Sequence, residues 1–493
     1  MNKKKPEHDS LGVCPAHSTH DEQVRPEEVK NNCNTLKVRD DEKPVNFYET
    51  EKKEKFKLCD SSKDCTWIKD DNEFGIKELR QRIEPWLTSL FQSEHLSLLV
   101  GSGLTHAVHR LATGDGAADM VPTTFSDFND EICKAANNSA ANANRKQANI
   151  EDQIRVANEL LRGLEILEYG NADELRKEIS DILKLFAESI LHSECGIAKG
   201  KGREKAFNTL INFLMSFASR LGTRDRLNIF TTNYDRLIEA GAELAGLHLI
   251  DRFLGNLMPI FRSSRMDLDM HYNPPGIRGE PRYLEGVSRY TKLHGSVDWI
   301  QTGKEAKDKD IRRIGLPFGS ESIDPYLNAP GLNGATPHEM MIYPNSAKDR
   351  ETADYPYVEL FRDFAAATCR PNSTLVVYGY SFGDDHINRV IEDMLTIPST
   401  HLVIISYDDP LDRIKHTFNK IGRPSQISLL IGNHLGNLKS LTDHYLPKSA
   451  IDKATFRLGD LLRQRMGIHE SEQQQGDFPK GHSSIIDEKD GTK

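Results

Sequence analysis

Residues Tyr290–Ser296 read YTKLHGS, a short apolar and β-branched run that ends in a histidine followed by a glycine. Three other polar stretches follow apolar runs in the same way: GSGLT at Gly101–Thr105, TTNYD at Thr231–Asp235 and GYSFGDD at Gly379–Asp385. In open α/β sheets, ligands bind in the crevice beyond the carboxyl ends of the strands. The sequence therefore predicts one ligand site to which all four stretches contribute.

Short apolar runs alternate with helical stretches through most of the chain. The predicted strands are Leu96–Val100, Leu227–Thr232, Tyr290–His294, Thr374–Tyr380, His401–Ser406 and Ile427–Ile431. Apolar strands separated by helices are typical of parallel pairing in a sheet that helices cover on both faces. We therefore predict the α/β class, with a Rossmann-like, doubly wound parallel sheet of about six strands.

The stretch between the first two predicted strands shows helical periodicity. Its apolar stripes lie within Val156–Leu167, Ile179–Ile190 and Phe207–Phe217. A connection of this length must have its own structure, so we predict a helical insertion over about residues 125–225, within one domain spanning residues 73–467. The run Ala136–Ala148, rich in Asn and Ala, is interpreted as a mobile connection.

Residues 1–72 and 468–493 are rich in charged and polar side chains and lack sustained periodicity. Such segments cannot bury enough apolar surface to offset the entropy of ordering, so both are predicted to be disordered. The spacing of four potential metal ligands in the first segment fits no zinc-binding pattern. They are Cys14, His17, His20 and Cys33.

The composition limits the cellular setting and the partners. Seven scattered cysteines fit a reducing compartment, and no apolar run approaches the ~20 residues of a membrane span. We therefore predict a cytoplasmic protein with no membrane partner.

The net charge of -10 argues against extensive nucleic-acid binding. Arginines between Arg252 and Arg289 allow a nucleic-acid patch, but no aromatic platform lies among them, which favours a solvated or subunit-contacting loop. Direct nucleic-acid binding is not predicted.

Two of the polar stretches are each open to a structural and a functional interpretation. Gly101, Ser102 and Gly103 either let a phosphate approach backbone amides or form a tight strand-to-helix turn. His106 stands where the usual dinucleotide fingerprint has its third glycine. His294 is either a satisfied structural histidine or a base that accepts a proton near neutral pH.

The stretch that contains Thr232 has the same two interpretations. Asn233 either directs its amide at a ribose hydroxyl or an attacking water, with Asp235 holding a carboxamide of the ligand, or one of the two caps the next helix.

The last stretch and the strand after it offer further candidates. Ser381, close to Gly379, is a candidate ligand contact, whereas Asp384 or Asp385 is expected to cap a helix. Asp408 follows the next strand, where the ribose of an adenosine could be held.

Taken together and in this order, GSGLT, TTNYD, KLHGS and GYSFGDD resemble the sirtuin signatures for the phosphate loop, the Asn-bearing loop, the catalytic histidine and the ribose-side loop. The resemblance covers about residues 96–406. It implies an NAD-binding domain in which His294, Asn233 and Asp235 are the catalytic residues. The cofactor-binding candidates are Gly101, Ser102, Gly103, Thr232, Gly379, Ser381 and Asp408.

Two departures from the sirtuin pattern narrow the implied function. Sirtuin deacylases carry a zinc ribbon of cysteines after the catalytic histidine, but only Cys369 lies between His294 and Gly379. The Pro-Asp-Phe-Arg run that follows the glycine loop in deacylases is also missing. With the helical insertion, these losses resemble the sirtuin-like domains of bacterial antiviral defence proteins, which hydrolyse NAD.

This resemblance implies a zinc-free NAD glycohydrolase that depletes NAD as an antiphage effector, in the manner of abortive infection. It also implies a homo-oligomer and, as in some related defence proteins, a hexameric DNA-translocating ATPase of the HerA type as partner. Two alternatives stay open: a zinc-free protein deacylase or ADP-ribosyltransferase that uses the same pocket, and a non-catalytic module that senses NAD or another nucleotide in a defence complex. The presence of both Asn233 and His294 favours an enzyme, because sensing needs neither.

Overall fold

The computed structural model describes residues 33–39, 41–62, 65–68, 73–117, 120–142, 145, 147–220, 224–272, 282–302, 310–328, 332, 336–340 and 355–448. The described residues as far as Pro447 belong to one compact unit. The predicted tail at 468–493 and three potential zinc ligands (Cys14, His17 and His20) lie outside the described residues.

The described residues form 17 strands. In chain order they are β1 (Cys33–Lys37), β2 (Val45–Glu49), β3 (Lys55–Leu58), β4 (Phe74–Gly75), β5 (His95–Val100), β6 (Leu227–Thr231), β7 (His248–Ile250), β8 (Phe253–Leu254), β9 (Ile260–Phe261), β10 (His271–Tyr272), β11 (Arg282–Tyr283), β12 (Val287–Lys292), β13 (Trp299–Thr302), β14 (Asp310–Arg313), β15 (Ser373–Tyr378), β16 (His401–Ser406) and β17 (Ile427–Ile431). Within the described residues, β7 to β14 follow one another without an intervening α-helix.

The main sheet is parallel over most of its width. It has 11 strands in the order β4-β3-β2-β1-β17-β16-β15-β5-β6-β12-β7. Neighbours from β17 to β7 are parallel, and β1 to β4 form an antiparallel extension. The predicted α/β class is confirmed, and a strand is present at each of the six predicted places. The prediction of about six strands in a Rossmann-like sheet is wrong in extent, because β7 and the four antiparallel strands enlarge the sheet.

Strand β1 shows why the antiparallel strands were not predicted. For the described residues between 33 and 68, the prediction of a disordered segment is wrong, because β1, β2 and β3 lie there. Asn34 and Lys37 are polar, yet both are buried in the sheet. Lys37 Nζ donates to Pro424 O at 2.6 Å and to Ile427 O at 3.1 Å, and burial lowers the pKa of this lysine. Composition counts such residues as solvent-exposed, so it misses a strand whose polar groups are satisfied by neighbouring backbone.

Helices cover both faces of the parallel strands. In chain order they are α1 (Ile76–Phe91), α2 (Ser102–Thr113), α3 (Asn129–Asn142), α4 (Ile150–Ile166), α5 (Ala172–Lys199), α6 (Arg203–Ala218), α7 (Leu237–Ala245), α8 (Asp324–Leu327), α9 (Tyr357–Thr368), α10 (Asp385–Leu395), α11 (Arg413–Ile421) and α12 (Leu438–Ser440). On one face, α1, α2, α6 and α7 share a core with strand residues such as Leu98 and Val376. On the other face, α9, α10 and α11 pack with Leu99 and Val377. Successive strand side chains point into the two cores in turn. In sheets of this kind, ligands bind beyond the carboxyl ends of the strands.

Helices α3, α4 and α5 (residues 129–199, the helical module) have a core of their own, to which Val297 and Ile323 also contribute. The expectation of a mobile connection at Ala136–Ala148 is wrong at its start, because α3 continues to Asn142. Ala136 and Ala140 are four residues apart, fully buried, and therefore on one helix face. Since alanine is the strongest helix former, the Asn- and Ala-rich composition is compatible with a packed helix.

Two smaller antiparallel sheets were not predicted. One has the order β13-β14-β9-β8 and the other is the pair β10-β11. Their strands are too short to show a period of two in the sequence. In the described ranges, no helix combines the length and the apolarity that crossing a membrane requires.

Replacing Asn34 by alanine tests how β1 is held to the sheet. Asn34 Oδ1 accepts hydrogen bonds from the backbone amides of His434 at 3.0 Å and Leu435 at 3.1 Å. The substitution leaves both buried amides without this acceptor, so we expect the free energy of unfolding to fall by about 2 kcal/mol or more in denaturant titrations. Asn419→Ala, at an exposed position of α11, is the control and should change it by less than about 0.5 kcal/mol. Equal stability of the two variants would contradict this role.

Candidate active site

The four polar stretches meet because the strands that precede them are neighbours, in the order β15-β5-β6-β12. Backbone hydrogen bonds continue beyond the strand ends: Thr232 N donates to Val100 O at 3.1 Å, and Leu293 N donates to Thr231 O at 2.8 Å. The loops that follow these strands are therefore held side by side at one edge of the sheet.

A cavity of about 280 Å³ lies beyond these strand ends. The predicted site residues that line it are Ser102, Thr232, Asn233, Asp235, His294 and Ser381. Lining residues that the sequence analysis did not assign to the site include Arg145, Glu151, Tyr380, Asp384 and Arg413. The cavity is thus formed partly by the predicted loops and partly by the helical module.

The predicted glycines do not line the cavity, and close packing between loops accounts for their positions. A Cβ on Gly101 would lie 2.4 Å from Gly379 O, and a Cβ on Gly103 would lie 2.6 Å from Gly379 Cα. Gly379 itself has a φ of +62°, which favours glycine. These contacts correspond to the tight-turn interpretation. Asp408 is exposed and is also not a lining residue.

The side chain of Asn233 is anchored by the loop that follows β5. Its Nδ2 donates to Gly101 O and to Thr105 Oγ1, both at 3.0 Å. Because a carbonyl oxygen can only accept, the contact with Gly101 fixes which end of the amide is the donor. With both Nδ2 hydrogens directed at protein atoms, Asn233 offers Oδ1 as an acceptor for a hydroxyl or a water.

Asp235 has a structural role at the start of α7. Its Oδ1 accepts from Leu237 N at 3.0 Å, and its Oδ2 accepts from the Thr105 hydroxyl at 2.6 Å. The carboxylate lines the cavity but is already bound on both oxygens. Both of its roles considered from the sequence, helix start and ligand contact, are therefore compatible with its position.

His294 lies beside a carboxylate that the sequence analysis assigned only to helix capping. His294 Nε2 and Asp384 Oδ2 are 2.8 Å apart, and the side chains are 14% and 5% exposed. Asp384 Oδ1 also accepts from His386 N at 3.0 Å and so caps α10. When a carboxylate accepts the Nε2 proton, Nδ1 is the basic nitrogen of the neutral imidazole. The pair is suited to accepting a proton at Nδ1.

Two buried tyrosines flank this pair. The hydroxyl of Tyr380 donates to Asp384 O at 3.2 Å, and the ring centroid of Tyr234 is 6.4 Å from that of His294. The Tyr234 hydroxyl donates to Glu151 Oε1 at 3.3 Å. Burial raises the pKa of both phenols well above the usual value, so both remain neutral donors at physiological pH.

A buried ion pair ties the helical module to the loop that carries Asn233. Glu194 of α5 accepts from Arg236 N at 2.7 Å and from the guanidinium of the same residue. Arg236 in turn donates to Pro317 O at 3.2 Å. Burial raises the pKa of Glu194, against the effect of the arginine. Removing one partner would leave a buried charge uncompensated, so this pair fixes the loop to α5.

Lys292, the lysine of KLHGS, supports the same loop from β12. It is 1% exposed, and its Nζ donates to Tyr234 O at 3.4 Å and lies 3.2 Å from Glu239 Oε1. The lysine therefore holds backbone beneath the cavity and does not line it.

One of the arginines considered for nucleic-acid binding is buried in an ion pair within the protein. Arg252 is 6% exposed and binds both carboxylate oxygens of Asp363, at 2.6 and 2.7 Å. Arg278 lies outside the described residues.

One region of the chain is similar to a known family. Residues 227–423 match the SIR2-like domain. The matched range is less than half of the chain, contains Asn233, His294 and Asp384, and begins after the loop Gly101–Thr105. It supports a sirtuin-like domain, and SIR2-like domains use NAD. No match was found among curated proteins.

No metal centre is apparent in the SIR2-like region or in the other described residues: no group of three or more His, Cys, Asp or Glu side chains there is arranged to hold an ion. Cys369, in the interval where sirtuin deacylases have the zinc ribbon, instead directs its Sγ at Val390 O at 3.7 Å.

Gly103→Ala tests the close packing between the loops after β5 and β15. The added methyl group would meet the Gly379 backbone, which cannot move aside as a side chain can, so we expect a loss of about 2 kcal/mol or more in the free energy of unfolding. Gly163→Ala is the matched control: it lies inside α4, and nothing is within 4 Å of its added Cβ. It should stabilise the protein by up to about 1 kcal/mol. Denaturant titration measures both, and a neutral Gly103→Ala would refute the packing argument.

Proposed function

We propose that the protein is an NAD glycohydrolase that cleaves the bond between nicotinamide and ribose. One observation carries the proposal: the His294–Asp384 pair and the anchored amide of Asn233 belong to the SIR2-like region and line the same cavity. A module that only binds a nucleotide needs no imidazole oriented by a carboxylate. A hydrolase needs one, together with an acceptor that positions the attacking oxygen.

The reaction requires a base but no acid at the leaving group. When the bond from ribose C1′ to the nicotinamide nitrogen breaks, its electron pair neutralises the pyridinium charge, and nicotinamide leaves as a neutral molecule. The oxygen of water forms the new bond to C1′ and its proton passes to His294 Nδ1, which later releases it to solvent. Positive charge develops on the ribose in the transition state, as in glycoside cleavage. The products are nicotinamide and ADP-ribose.

Each residue of the site has a separate task in this reaction. Asn233 Oδ1 accepts a hydrogen bond from the water or from a ribose hydroxyl and holds it beside His294. Asp384 orients the imidazole and stabilises its protonated form after proton transfer, which makes it a positioning residue. Asp235 lines the cavity, and its carboxylate has the capacity to accept a further hydrogen bond from the nicotinamide carboxamide.

Substitutions at His294, Asn233 and Asp384 should separate these tasks. His294→Ala and Asn233→Ala each lower nicotinamide release from NAD by about 10²-fold or more. Asp384→Asn lowers kcat with little change in KM. It also moves the acidic limb of the pH–rate profile to lower pH, because the protonated imidazole loses its negative neighbour. Chromatographic assay of nicotinamide across a pH series measures all three.

Asp385→Asn is the matched control, since Asp385 is exposed, adjacent in sequence and not a lining residue. It should retain the parent rate within about twofold. Parent rates for His294→Ala and Asn233→Ala would show that the site is wrongly assigned. Binding of NAD without cleavage would favour the sensing module, and release that requires an acyl-lysine peptide would favour a deacylase. We expect activity to survive a chelator, as a zinc-free site requires.

We further propose that NAD cleavage depletes NAD in antiphage defence and that self-association switches it on. The helical module supports this, because Phe186 of α5 lines the cavity, so a shift of the module changes the site. At the connection between α4 and α5, Ile166, Leu167 and Tyr169 are 68%, 74% and 60% exposed. Adjacent exposed apolar side chains of this kind are typical of contact surfaces. A HerA-type partner rests on the resemblance alone and stays a prediction.

Leu167→Glu tests whether self-association switches the activity on, because it places a charge among the exposed apolar side chains of Ile166, Leu167 and Tyr169. We expect weaker self-association in sedimentation velocity and a fall in NAD cleavage of about tenfold, with ADP-ribose binding unchanged. Leu244→Glu, at a 59% exposed position of α7, is the control and should leave both unaltered. A monomeric parent that cleaves NAD at full rate would refute the switch. Equal phage resistance in cells with the parent and with His294→Ala would refute the defence role.

A further inference from the structure

The cavity contains one cation that lacks a matching anion. Arg413, the first residue of α11, is half-buried and lines the cavity. Its Nε is buried without a hydrogen-bond partner, and no carboxylate in the described part of the chain forms an ion pair with it. Burial, followed by the nearby positive charge of Arg145, lowers the pKa of Arg413. A bound anion would relieve both effects.

The carboxylates that line the cavity are engaged elsewhere. Asp152 binds Arg145 through two hydrogen bonds of 2.6 Å. Asp235 receives the Thr105 hydroxyl, and Asp384 is bound to His294. The fourth, Glu151, accepts the Tyr234 hydroxyl. These carboxylates are therefore held by partners other than Arg413, and a ligand can supply the anion that Arg413 lacks.

The backbone before Arg413 adopts conformations that local preferences disfavour. Leu411 and Asp412 have φ values of 62° and 50°, in the left-handed region that residues other than glycine adopt infrequently. An arginine at the start of a helix also faces the positive end of the helix dipole. Asp409 Oδ1 already accepts the Ile414 amide at 2.8 Å, so the helix start is capped without Arg413. Such costs persist where the residue has a task beyond the stability of the helix.

We propose that Arg413 binds the pyrophosphate of the dinucleotide. A Cβ on Gly383 would lie 3.2 Å from Arg413 Nη1, so the guanidinium lies against the loop that follows β15. A planar guanidinium can bind two phosphate oxygens at once. NAD itself has separated charges, a cationic nicotinamide ring and two anionic phosphates. With the pyrophosphate bound at Arg413, the cationic nicotinamide end lies near the carboxylates beside Asn233 and His294.

This proposal rests on the proposed function for the identity of the ligand, and binding measurements test it without catalysis. Calorimetric titration of the full chain with ADP-ribose, ADP and adenosine compares ligands with two phosphates and with none. Arg413→Gln should weaken the binding of ADP-ribose and ADP by about tenfold or more and leave adenosine binding unchanged. Arg413→Lys should recover part of the loss, because it restores the charge without the two-oxygen contact. The control is Lys420→Gln, which removes a charge from an exposed position of the same helix.

The outcomes distinguish this inference from the proposed hydrolase. Phosphate-dependent binding that needs Arg413, in a protein that does not cleave NAD, supports the subsite and refutes the hydrolase. Cleavage of NAD with unchanged ADP-ribose affinity in Arg413→Gln refutes the subsite and leaves the hydrolase standing. Equal loss of ADP-ribose and adenosine binding also refutes the phosphate subsite, because the arginine then acts through packing. Thermal unfolding of each variant confirms that the comparison is made between folded proteins.

Discussion

The backbone contact among Gly101, Gly103 and Gly379 is the constraint on which the rest of the site depends. Gly103 N donates to Gly379 O at 3.0 Å, and the two loops lie closer than any side chain would permit. This approach places the Gly101 carbonyl where Asn233 can donate to it. It also sets the start of the loop that ends at Asp384, the partner of His294. Three residues that do not line the cavity thus determine the geometry of those that do.

Most of the parallel part of the sheet could be predicted because strands such as β15, β16 and β17 are apolar, whereas β7 and the start of β12 were missed. Ile427–Ile431 and His401–Ser406 have the predicted bounds. Strand β1 could not be predicted, since its polar residues are buried against particular backbone groups that no local pattern indicates. The same distinction applies to the helical module, where an apolar stripe predicts burial but not the surface against which the helix packs.

The candidate site divides along similar lines. Asn233 and His294 were assigned from their position at strand ends, and both line the cavity. Asp384 is predicted to cap a helix and does cap α10. Its second contact is with His294, 90 positions away in the sequence. Arg145 and Arg413 come from segments without a recognisable motif, and only tertiary structure brings them to the cavity. A residue that follows a strand can be found from sequence, whereas one that arrives from another layer cannot.

The pairing of β1 with β17 has a consequence for synthesis. These strands are the first and the last of the described chain, and Lys37 reaches across 390 positions to Ile427. The ribosome synthesises β17 after all the other described strands. The edge of β1 that pairs with β17 therefore has no partner until nearly all of the described chain has emerged. Pairings of such long sequence separation form slowly, and an unpaired strand edge can pair with other chains in the meantime. The topology therefore makes the N-terminal hairpins the part of the sheet most exposed to misassembly during translation.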